Sequence, residues 1–166
     1  LTITGSKKLN PINYYENRGS AQCKSAVIFA GLRTQGTTFI KAKKSRNHTE
    51  LLCKYLNLPV KVKNKKNHDE IKISKVNFIK PLIYNIPSDI SSSAFFMVLA
   101  ALSNNSKLKI KNVNINPSRT GIIKILKKMG IKILFENQRI YKGEKIADTI
   151  IISPKFIKPI KCPSKL

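Results

Sequence analysis

The amino-acid sequence predicts an α/β fold with mixed sheets, built as two consecutive βαβαββ units, and three observations point there. Short motifs recur at a near-constant interval: Ala30-Gly31-Leu32 returns as Ala100-Ala101-Leu102, a shift of 70, and Ser45-Arg46 returns as Ser118-Arg119, a shift of 73. Between these recurrences the hydrophobic periodicity changes twice in the same order: strand, helix, strand, helix, strand, strand. In each unit one helix is apolar on nearly every side and the other carries a single stripe, as expected of one covered helix and one outer helix.

In the first unit, residues 11–80, Pro11 to Glu16 reads as a strand, Ser20 to Leu32 as the covered helix and Thr37 to Ala42 as a second strand. Asn47 to Asn57 follows as an amphipathic helix with Leu51, Leu52, Tyr55 and Leu56 on its stripe, and Asn47 with Glu50 makes a capping-box pattern at its start. Val60 to Lys63 and Ile71 to Ser74 read as paired strands joined by the turn Lys65-Lys66-Asn67-His68-Asp69. In the second unit, residues 81–153, Leu82 to Ile86 is expected as a strand, Ser91 to Ser103 as the covered helix and Lys107 to Val113 as a strand. An amphipathic helix from Arg119 to Met129, ended by Gly130, precedes strands over Ile131 to Phe135 and Thr149 to Ile152. Residues 1–10 read as the last strand of a preceding unit, and 154–166 as the start of a connection to a missing one. Two such units close around a common core less securely than three, so a further copy is expected beyond one end.

The first covered helix is entered through Arg18-Gly19-Ser20-Ala21-Gln22-Cys23-Lys24-Ser25, and this polar tip is where function is expected. The opening turn of a helix has N–H groups without partners and carries partial positive charge. Gly19 permits close backbone approach, Ser20 brings a hydroxyl, Gln22 an amide, and Arg18 and Lys24 full charges, a set suited to an anion. The competing reading is a capping serine flanked by solvated charges.

Lys and Arg outnumber Asp and Glu 32 to 8, a net charge of +24, which first suggests a polyanionic partner. Yet 27 of the basic residues are lysine in a chain crowded with Ile and Asn, as A/T-rich codons produce, and many alternate with apolar residues as the wet face of strands does. With no arginine stripe and no aromatics interleaved for base stacking, no nucleic-acid partner is expected. Cys23, Cys53 and Cys162 are odd in number and far apart, and His48 and His68 have no companions at ligand spacing. Neither a disulfide framework nor a metal site is indicated, and a reducing, cytoplasmic setting follows. The longest apolar run, Ala94 to Leu102, is too short to cross a bilayer, so no membrane partner is expected.

Four stretches in order carry a resemblance. They are Gly19-Ser20-Ala21-Gln22 with Lys24-Ser25-Ala26 and Ala30-Gly31-Leu32; Ser45-Arg46-Asn47-His48-Thr49-Glu50; Pro87-Ser88-Asp89-Ile90-Ser91-Ser92-Ser93-Ala94-Phe95; and Asn116-Pro117-Ser118-Arg119-Thr120-Gly121. Together they resemble 5-enolpyruvylshikimate-3-phosphate (EPSP) synthase, the 3-phosphoshikimate carboxyvinyltransferase of aromatic amino-acid biosynthesis, in its bacterial glyphosate-tolerant branch. The resemblance implies an enolpyruvyl-transferase domain, an inside-out α/β barrel of three units, of which this chain holds two. It implies transfer of the enolpyruvyl group of phosphoenolpyruvate to the 5-hydroxyl of shikimate 3-phosphate, without metal or organic cofactor. A related acceptor, UDP-N-acetylglucosamine, is the rival within the same fold, and a basic nucleic-acid-binding module is the rival from another class.

By position, Ser20, Ala21 and Gln22 match the family's Ser-Ala-Gln segment at the shikimate 3-phosphate site, with Ser20 on the phosphate and Gln22 also near phosphoenolpyruvate. Arg46 matches the basic residue of the family's Arg-Asp-His-Thr-Glu pattern, beside the same substrate; Asn47 here stands in place of the Asp. Ser88 stands where the family's Pro-Gly-Asp motif has glycine. No stretch matches the general-base aspartate, so no catalytic residue is assigned: Asp89 and Asp148 read as helix caps or turn ends, and Arg119 as structural. Lys24 is left with two readings, an anion contact or a solvated charge. The remaining segments of the same enzyme are the expected partner.

Overall fold

The computed structural model describes residues 2, 4–6 and 8–161. It has two compact units divided between Leu82 and Ile83. In the first, β1 (Asn13–Glu16), α1 (Ala21–Arg33), β2 (Thr37–Lys43), α2 (His48–Tyr55), β3 (Val60–Asn64) and β4 (His68–Ser74) follow the predicted order. The sheet order is β1-β2-β4-β3, with β1 parallel to β2 and the other pairs antiparallel. Alternation along β2 and β4 sends Ile40, Ala42, Ile71 and Ile73 to one face, where they pack with Ile28 and Leu32 of α1 and Cys53 of α2.

The second unit holds α3 (Ile90–Leu102), β5 (Lys107–Asn114), α4 (Gly121–Lys128), β6 (Lys132–Tyr141) and β7 (Glu144–Ile152), with sheet order β5-β7-β6. These strands repeat the positions of β2, β4 and β3. Helix caps set the repeat: Ser20 and Thr34 bound α1 as Asp89 and Ser103 bound α3, so the first helices superpose at a shift of 69 and not the 70 read from the Ala-Gly-Leu motif. Buried Lys24, Ile28, Gly31 and Leu32 then correspond to buried Ser93, Met97, Ala100 and Ala101. The second helices keep the shift of 73, with Glu50 and Cys53 matching Ile123 and Leu126.

Several expectations are corrected. Residues 82–86 form no strand; one parallel bridge, Ser88 to Val113, stands where β1 pairs in the first unit. Pro81 and Pro87 flank that stretch, and Ile83 and Ile86 are exposed, so it has neither ladder nor core to bind it. The two first helices are covered on one stripe only. Phe29 on α1, and Phe95, Phe96, Leu99 and Leu102 on α3, are exposed, because one sheet covers one side of a helix. The hairpin of β6 and β7 is longer than predicted and turns at Lys142-Gly143, both with positive φ. Asp148 neither caps a helix nor ends a turn: it lies within β7, accepting the Asn112 N–H and the Asn137 amide at 2.9 Å each, where β5 and β6 bulge with positive φ. No strand includes the described residues of 1–10; Leu1 and Ile3, on which that expectation also rests, lie outside the described residues, as do Cys162 and the end of the connecting segment.

Candidate functional site

The tip of α1 is built from β1 outward. Glu16 ends β1 with its side chain buried, and its two oxygens accept the Arg18 N–H at 3.0 Å and the Gly19 N–H at 2.8 Å. Burial alone pushes this carboxyl up, but the N–H groups of Ser20, Gly19 and Arg18 and the Lys24 ammonium together hold it below its ordinary 4.5. Glu16 therefore fixes the loop, with Gly19 at φ +77°, and takes the N–H groups of Arg18 and Gly19 for itself. Because its folded value is depressed, Glu16 stabilises the native state above pH 4.5, and this contribution is lost as pH falls through the lowered value. The thermal midpoint of the full-length protein is expected to exceed that of its Glu16→Gln variant at about pH 7 and to converge on it toward about pH 3. A gap independent of pH would reject this role.

Ser20 caps α1, its Oγ accepting the Cys23 N–H at 3.2 Å, which leaves its hydroxyl proton for another acceptor. Ala21 and Gln22, one residue on, line a concavity of about 390 Å³ together with Ser25, Arg46, His48 and Thr49. The start of α2 closes it, pinned to α1 by the Ser25–Thr49 hydroxyl contact of 2.7 Å. Among the described residues no ion pair engages the Arg46 guanidinium, and α1 has no acidic residue in its first turn. The concavity thus combines a helix N-terminus, an amide and an arginine that has no counter-ion among the described residues, which suits an anionic ligand.

Two charged residues behave otherwise than expected. Lys24 is fully buried, with Nζ 2.5 Å from Glu50 Oε1 and donating to the Arg46 carbonyl at 2.9 Å. It touches neither solvent nor the concavity. Glu50 is correspondingly not part of a capping box: Asn47 makes no side-chain cap bond, and the Glu50 carboxylate turns inward to Lys24. Burial and the neighbouring Glu50 charge push the Cys53 thiol up to about 11, so it is not nucleophilic at neutral pH. Neither Glu16 nor the Ser25–Thr49 contact was singled out from sequence, although an acid three residues before a glycine was a usable sign of the former.

In the second unit the matching arginine is spent internally. Arg119 donates to Asp89 Oδ1 at 2.8 Å and to Ser91 Oγ at 2.6 Å, while Asp89 caps α3 through the Ser92 N–H. The Ser92 N–H and the Arg119 charge hold Asp89 below its ordinary value despite some desolvation. The structural reading of Arg119 and the capping role of Asp89 both match this geometry.

A larger groove, about 460 Å³, lies on the opposite face of the first sheet. There strand order alternates Tyr15 and Phe39 with Lys41 and Lys72, an interleaving that the linear sequence does not show. The lysine ammoniums lie over those rings, at 5.5 and 5.7 Å, so the groups a base would stack on are already engaged. Its lining residues all belong to strands, and no helix N-terminus is among them. Among the described residues no group of three or more His, Cys, Asp or Glu side chains is arranged to hold a metal ion, and no helix is long and apolar enough to cross a membrane.

The chain is similar to known proteins along nearly its whole length. The family model described as EPSP synthase (3-phosphoshikimate 1-carboxyvinyltransferase) matches residues 1–160. The 3-phosphoshikimate 1-carboxyvinyltransferase of Caldicellulosiruptor bescii is 43% identical over 153 residues, covering 90% of this chain and 35% of the relative. That of Legionella pneumophila strain Paris is 40% identical over 167 residues, covering 100% and 37%. The solved structure of EPSP synthase from Acinetobacter baumannii matches with a TM-score of 0.82 at 39% identity, over 97% of this chain and 36% of that one. The chain thus spans roughly a third of the length of these relatives.

Proposed function

Since the chain belongs to the EPSP synthase family and has its enolpyruvyl-transferase fold, we propose that the enzyme of which it forms part transfers the enolpyruvyl group of phosphoenolpyruvate to the 5-hydroxyl of shikimate 3-phosphate. The reaction passes through a tetrahedral intermediate that expels phosphate, and this chain supplies part of the acceptor site. The observation that carries the reading is the shared concavity of Gln22 and Arg46 at the N-terminus of α1, with the guanidinium unpaired among the described residues. Ser20 donates its free hydroxyl proton to the phosphate and Arg46 supplies the counter-charge; Gln22 bonds the ring's polar edge and lies beside phosphoenolpyruvate. No residue of this chain is given the base role, and groups from the remaining segments of the enzyme complete the chemistry. The uncovered apolar faces of α1 and α3 support such a partner, and the free thiols of Cys23 and Cys53 support a reducing, cytoplasmic setting.

Phosphate release by the full-length enzyme from phosphoenolpyruvate tests the reading. Turnover is expected with shikimate 3-phosphate and none with UDP-N-acetylglucosamine; the reverse preference would refute it.

A further inference from the structure

We propose that Lys24 and Glu50 are positioning residues, a buried ionic clamp that holds the backbone of Arg46 so that its guanidinium faces the acceptor site; this rests on the function proposed above. Lys24 is fully buried and Glu50 nearly so, and taking two charges out of water costs several kcal/mol per ion. Such a pair is weak ground for stability, because apolar residues of similar size usually serve a core as well. The second unit shows that the frame does not need the charges: uncharged Ser93 and Ile123 occupy the matching buried positions, and the same helix–sheet frame forms.

What differs between the units is the arginine. Arg119 is tied by its own guanidinium to Asp89 and Ser91, a contact that fixes it and consumes its charge. Arg46 is instead held by its carbonyl oxygen, which accepts from Lys24 Nζ at 2.9 Å, and the guanidinium is left to the concavity. Lys24 in turn is fixed by Glu50 at 2.5 Å, and neither Glu50 oxygen accepts a directed hydrogen bond among the described residues, so the attraction is ionic. Its charge also reaches Glu16, which holds the Arg18–Gly19 loop before the cap. One ammonium therefore joins the loop before α1, the body of α1 and the Arg46 segment that leads into α2, and the last two line the concavity.

The test uses the full-length enzyme with Lys24→Met/Glu50→Ile, which removes both charges together and, as in the second unit, leaves the two positions uncharged. Thermal unfolding is expected to stay cooperative, while KM for shikimate 3-phosphate rises roughly tenfold or more with kcat little changed. In an Arg46→Ala background the same double change is expected to add less than about twofold, because its effect runs through Arg46. If the double variant does not fold, Lys24→Gln is read the same way, since its shorter, uncharged amide makes no ion pair with Glu50. A raised KM for Arg46→Ala beside a wild-type KM for the clamp variant, or an undiminished effect without Arg46, overturns the clamp alone. An unchanged KM in Arg46→Ala overturns the site and the clamp with it.

Discussion

Replacing Arg46 with Ala in the full-length enzyme is expected to weaken shikimate 3-phosphate by about 1.5–3 kcal/mol for each charged hydrogen bond lost, roughly 10- to 150-fold. The loss falls on KM more than on kcat, because a phosphate remote from the bond being made is held alike in ground and transition states. Stability is expected to change little. The guanidinium has no carboxylate partner among the described residues, so its removal leaves no buried charge behind. The steady-state parameters for both substrates check this, and Arg119→Ala is the matched control. It is expected to lower the thermal midpoint through loss of the Asp89 and Ser91 contacts while leaving KM as it was.

Ser20→Asp is expected to have the larger effect without harming the fold. Asp is as good an N-cap as Ser, so α1 keeps its start. The added carboxylate, however, reproduces the arrangement of the second unit, where Asp89 caps α3 and pairs with Arg119 at 2.8 Å. At α1 it turns Arg46 inward to the cap and sets a negative charge against the incoming phosphate. Like charges brought together at a binding site cost several kcal/mol, so shikimate 3-phosphate affinity is expected to fall by about 3 kcal/mol or more, upward of roughly 100-fold. Ser20→Gly, which keeps most of the capping but removes the hydroxyl, is expected to fall between wild type and Asp in KM. Unaltered kinetics in Ser20→Asp would remove the phosphate from this end of the helix.

The order of elements and the polar tip of α1 were legible because both are written locally. A greasy helix with a polar tip, a striped helix after it and a second pass through the same order all lie within short windows of sequence. What escaped depends on tertiary register. Lys24 lies one turn into α1, where a lysine reads equally as solvated or ligand-bound, and only the packing of α2 against the same sheet shows its partner to be Glu50. The Ala-Gly-Leu motif misplaced the repeat by one residue because composition, unlike a cap, does not mark a helix start. In the long hairpin, Asp148 read as a cap or turn end, and it instead accepts from the Asn137 amide across the strand pair. The two residues are the sides of a bulge that lets the ladder continue past them.

The central claim, that α1 and the start of α2 present Gln22 and Arg46 to a phosphorylated ring, is tested most directly by calorimetric titration of shikimate 3-phosphate into the full-length protein and its Arg46→Ala variant. The account predicts a dissociation constant weaker by roughly 10-fold or more in a variant that still unfolds cooperatively. Equal affinity in the two proteins would contradict it.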